Sequence, residues 1–133
     1  VVTETLADED PTAPSVERLV GDIVGTVQRL RDNELFVRIV ELDPELLLPY
    51  LLSRRGRSQD AILDLTATAI RDGQAEGTIR AGNPVAIARG MLLAAHGYVL
   101  SAHTMVGDGH GGTVTEEELD AELIHLLTRS LTP

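Results

Sequence analysis

Apolar residues recur at spacings of three and four through most of the chain, and no stretch alternates convincingly with period two. Val16, Leu19, Val20, Ile23, Val24, Val27 and Leu30 form one such stripe. It predicts an amphipathic helix with Ser15 as its N-cap. Asn33 predicts a cap for a short helix over 34–42, with Leu35, Phe36, Ile39 and Val40 on its apolar side. Asp43-Pro44 is a restart signal, because Asp accepts orphan amides and Pro tolerates a first turn. The run from Leu46 to Leu52 is apolar nearly all round, divided by Pro49, and is expected to be buried against neighbours. Ser58 then predicts a cap for a long helix carrying Ile62, Leu65, Thr66, Ala69 and Ile70, which ends at Gly77.

Asn83-Pro84 opens a further helix to about Met105, and the glycine-rich stretch Val106–Thr113 is expected to be a flexible loop. Thr115 and Glu118 form a capping box for a last helix with the stripe Leu119, Leu123, Leu126, Leu127 and Leu131. Ahead of all this, the acidic, proline-punctuated segment from Ala7 to Pro14 reads as a linker. The sum is one all-α domain, a helical bundle of about five or six helices.

The helix opened by Pro84 is the most informative element. Ala86, Gly90, Ala94, Gly97, Ser101 and Thr104 share one face, and all are small, which lets another backbone approach closely. A second face holds Ile87, Met91, Tyr98 and Met105 and reads as core, with a pocket lining as the alternative. Arg89, His96 and His103 repeat every seven residues along a third stripe, which could hold an anionic group of a ligand. A central helix with two non-polar faces outruns the partners that so small a bundle supplies, so a subunit contact is expected on the small-residue face.

Composition narrows the classes. Eleven basic against 21 acidic residues give a formal charge of −10, so this stretch of chain is a poor surface for nucleic acid. The 133 residues suit one domain with a real core, and no apolar run approaches the roughly 18 residues of a membrane span. With no cysteine, neither a disulfide framework nor a thiolate metal site is available. The arginines at 54, 55 and 57 form a small basic patch, but they lack interleaved aromatics for stacking on bases.

Candidate chemistry is sparse. Among the four histidines, His96 and His103 could face one cavity and carry a small helical metal protein or enzyme, but no acidic third ligand lies within helical reach. Glu122 and His125 match one half of a di-iron unit whose other half is missing. No serine sits in a nucleophile elbow, and nothing in the pattern demands an enzyme, a cofactor or a metal.

The stretch Ala69–Pro84, Ala-Ile-Arg-Asp-Gly-Gln-Ala-Glu-Gly-Thr-Ile-Arg-Ala-Gly-Asn-Pro, resembles the regulatory domain of TetR-family transcriptional repressors, at the turn between its long helix and the next. Glu34-Leu35-Phe36 and Asp43-Pro44-Glu45-Leu46 resemble the preceding helices. The resemblance implies a cytoplasmic, homodimeric, ligand-sensing domain over 15–133, with 1–14 as the end of a connecting helix and a linker. It departs from the family in having no three-helix DNA-reading domain, so DNA would be met only through a part absent from this chain. The implied effector is a small apolar or amphipathic molecule. Phe36, Tyr50, Met91, His96, Tyr98 and His103 are the candidate ligand-binding side chains, chosen as large or polar groups on the helices that enclose such a cavity. Gly90, Ala94, Gly97, Ser101, Leu123 and Leu127 are the candidate dimer contacts.

Overall fold

A computed structural model describes residues 15–133, and the expected linker over 1–14 lies outside them. The described residues form six α-helices: α1 (Ser15–Asp32), α2 (Glu34–Leu42), α3 (Leu48–Leu52), α4 (Arg57–Glu76), α5 (Pro84–Ser101) and α6 (Glu116–Leu131). Two 3-10 turns, Pro44–Leu46 and Ala102–Thr104, separate α2 from α3 and extend α5.

Most boundaries follow from side-chain caps. Asn33 accepts from the Phe36 amide at 2.9 Å, Asn83 from Val85 and Ala86, and Thr115 from Glu118, whose carboxylate accepts the Thr115 amide in return. Gly77 takes the left-handed conformation, φ 80°, that ends α4. The start of α4 differs from expectation. Gly56 rather than Ser58 is the N-cap, and the Gln59 side chain accepts the Gly56 amide at 2.8 Å.

The core is a four-helix packing of α1, α4, α5 and α6. Leu19, Val20, Val24 and Val27 come from α1, Leu63, Ala67 and Ile70 from α4, Ile87, Ala88, Met91 and Ala95 from α5, and Leu123, Leu127 and Leu131 from α6. Two of the expected stripes change on folding: Leu65 and Leu126 face outward. The first and last helices are tied by Arg31, which meets Asp120 at 2.7 Å and Glu116 at 3.2 Å, while Gln28 donates to Asp120 at 3.2 Å.

The run Leu46–Leu52 is not buried. It breaks into a 3-10 turn and the five-residue α3, too short to lay a face on the bundle, and none of its residues is buried. Leu52 is 78% exposed. The glycine-rich stretch also departs from a loop. Gly107–Gly109 and Gly112–Val114 pair antiparallel, and His110 (φ 30°) and Gly111 (φ 105°) supply the two left-handed residues of a tight hairpin turn. Thr113 Oγ1 donates to Asp108 across the pair.

The segment Pro84–Thr104 is long and apolar enough, by length and composition, to cross a membrane, with a mean hydropathy of 1.4. This differs from the expectation that no apolar run approaches the length of a span. The segment carries Arg89 and packs on α1 and α4, as the central helix of a bundle does.

Candidate functional site

α5 is central, and yet only 28% of its apolar stretch is buried. Its inner side gives Ile87, Ala88, Met91 and Ala95 to the core. Its outer side is a strip in which Gly90, Gly97 and Ser101 are exposed, Ala94 is half-buried, and Leu93 stands 70% exposed. A Cβ built on Gly90 or Gly97 meets nothing within 4 Å, so at these two positions the face has no neighbour among the described residues. The helix α6 is different. Leu123 (0% exposed) and Leu127 (3%), expected at a subunit contact, are spent in the protomer's own core, where they close the packing on α1. Its exposed large apolar side chains are Ile124 and Leu126.

The six candidate ligand residues are not gathered around one cavity. Met91 is core, and Tyr98 packs half-buried against it. Phe36 is half-buried on α2. Tyr50 is exposed on α3, beneath the Arg54 guanidinium at 5.2 Å and against Gly56, where a Cβ would come within 3.1 Å of its ring. His103 is exposed on the turn after α5. His96 is half-buried, with its Nε2 at 3.3 Å from Gln59 Nε2. Because Gln59 Oε1 already accepts the Gly56 amide, its Nε2 is the donor and the imidazole Nε2 the acceptor. Burial holds the His96 pKa below its ordinary value of 6.5. His96 and His103 thus have separate surroundings. Among the described residues no three His, Cys, Asp or Glu side chains come together as a metal site.

A different set of residues does come together. A groove of about 500 Å³ runs between α4 and α5. Its apolar floor is Leu63, Ala67, Val85 and Ala88, and its charged rim is Arg55, Asp60, Asp64, Arg71 and Arg89. Arg55 and Asp60 neutralise each other at 2.7 Å. Of these, Arg89 belongs to the heptad-spaced stripe, Arg55 to the small basic patch and Arg71 to the Ala69–Pro84 stretch, but the sequence does not lead one to expect them in one groove. The groove omits the histidines of that stripe. The i, i+4, i+7, i+11 spacing of Asp60, Asp64, Ala67 and Arg71 was the available signal for the α4 wall.

Three mycobacterial proteins named as uncharacterized HTH-type transcriptional regulators, two from Mycobacterium tuberculosis strains and one from Mycobacterium bovis, are each 31% identical to the chain over 86 residues. That stretch is 65% of this chain and 44% of each relative, so the chain matches less than half the length of these curated proteins. No family model matches the chain, and no solved structure matches it.

Proposed function

We propose that the chain is the dimerising, effector-sensing part of a TetR-type transcriptional regulator. The observation that carries this reading is the open outer face of α5, where two glycines and Leu93 lie uncovered on the most apolar helix of the bundle. A soluble helix of that composition gains by covering such a face, and a second copy brings the same small-residue strip to a two-fold contact. The outer side of α6, with Ile124 and Leu126, joins the contact in place of Leu123 and Leu127. DNA is met through a helix-turn-helix part outside this chain, in keeping with the name of the relatives and with the charge of −10 borne here. A small apolar or amphipathic effector that binds one arrangement of the helices better than another shifts the population of the dimer. That in turn alters the half-site spacing of the attached heads.

Light scattering of the purified chain, with a thermal-shift screen against apolar and amphipathic compounds, tests the reading. A dimer whose melting temperature rises with a compound is the expected result. A monomer at micromolar concentration that no compound stabilises overturns it.

A further inference from the structure

The α4–α5 groove combines an apolar floor with cations that have no partner of their own. Among the described residues, Arg71 and Arg89 take part in no ion pair, whereas Arg31 and Arg55 do. With Arg55 and Asp60 cancelling each other, Arg71, Arg89 and Asp64 leave the groove with one net positive charge. That is a local inversion on a chain of net charge −10, three of whose 11 arginines line this one groove. Arg71 lines the groove from α4 and Arg89 from α5, and a guanidinium on either side offers a carboxylate charge-assisted hydrogen bonds. Below them Leu63, Ala67 and Ala88 border the groove with little exposed area, and the half-buried Val85 adds to the small apolar surface on which a short hydrocarbon chain replaces water. A dianion such as inorganic phosphate suits the groove less well. It exceeds the local charge, meets Asp64, and leaves the apolar floor wet.

We propose that this groove binds a small organic monoanion, its carboxylate held by Arg71 and Arg89 and its apolar chain lying on Leu63, Ala67, Val85 and Ala88. The site lies on the flank of the bundle and does not depend on dimerisation. It bears on the effector part of the regulatory reading, since octanoate is itself a small amphipathic compound, but not on the α5 dimer contact. Arg89 precedes Gly90 on α5, at the margin of the strip assigned to the second copy, so a bound anion would sit beside that contact.

Sodium octanoate is the probe, titrated into the 133-residue chain while methyl signals are followed by NMR. Octanol serves as the neutral analogue and inorganic phosphate as the anion without a tail. The expected result is saturable octanoate binding that shifts the Ala67, Ala88 and Val85 methyls, with octanol and phosphate each weaker by about tenfold or more. The double variant Arg71→Gln/Arg89→Gln removes exposed side chains and is expected to leave the melting temperature close to that of the wild type. It should lose about tenfold or more in octanoate affinity. Equal binding of octanol and octanoate, equal binding of phosphate, or undiminished binding by the double variant overturns the proposal. So does the lack of saturable octanoate binding. None of these results bears on the oligomeric state, which light scattering reads separately.

Discussion

Replacing Gly90 and Gly97 together by leucine separates the protomer's needs from those of the assembly. A side chain at either position starts in open space, because a Cβ there meets nothing within 4 Å. Both glycines lie inside α5, where leucine is favoured over glycine by about 0.8 kcal/mol per residue. The isolated protomer is therefore expected to gain roughly 1–2 kcal/mol from the pair. A second copy packed closely on the strip meets two branched side chains where its backbone needs room, and overpacking typically costs about 1–3 kcal/mol at each site. In a two-fold contact each substitution occurs twice. The assembly therefore loses several times what the protomer gains.

Light scattering coupled to size exclusion reads the oligomer, and thermal melts at several protein concentrations read the stability. The wild-type chain is expected to be a dimer whose melting temperature rises with concentration. The variant is expected to be a monomer with a concentration-independent melt. A variant that dimerises as well as the wild type refutes the α5 contact, and a variant that no longer folds refutes the claim that this face is open.

Other outcomes follow from the core and its charged ties. Gly73→Ala is expected to lower stability by about 1–3 kcal/mol in a denaturant titration, since its Cβ would sit 2.4 Å from Ile79 Cδ1 in a tight turn. Asp120→Ala leaves the largely buried Arg31 with only the exposed Glu116, and a loss of about 1–3 kcal/mol is expected by the same measurement. Burial alone would raise the Asp120 pKa, but hydrogen bonds from Arg31 and Gln28 and the Arg31 charge bring it net below 3.8. The carboxylate's contribution is therefore present above about pH 3.8 and lost as pH falls through the lower folded value. An acid titration of Asp120→Asn should be flatter there than that of the wild type. His96 has a folded pKa below 6.5, so the unfolded chain binds the extra proton first. Stability is full above about pH 6.5 and declines as pH drops toward the folded value, and His96→Gln should flatten melts over that window.

The four core helices were legible because each carries a stripe or a cap that acts locally. Asn33, Asn83, Gly77 and Thr115 with Glu118 do in the structure what their spacing requires. The run Leu46–Leu52 was misleading for a definite reason. Composition reports how strongly residues want cover, whereas Pro44 and Pro49 decide that the segment is too broken to obtain it from this bundle. The hairpin was hidden because His110-Gly111 is not a usual turn pair and its strands bury nothing that periodicity could register. Leu123 and Leu127 were correctly read as apolar contacts but assigned to another subunit, since a stripe does not say which surface it meets. The groove was the least legible of all. Arg71 and Arg89 line one groove only because the Gly77–Gly82 turn folds α5 back on α4, and that turn is held by hydrogen bonds of its own.

Those bonds also fix where force enters the bundle. Gln74 donates to the Arg80 and Gly82 carbonyls, the Arg80 amide reaches Leu131 O at 2.8 Å, and Ser15 Oγ donates to Glu76 at 3.2 Å. The start of α1, the end of α4 and the end of α6 are thus gathered at a single pole. A rotation of α4 against α5 would have to stretch or break these hydrogen bonds, which makes this pole the costliest end of the bundle to rearrange.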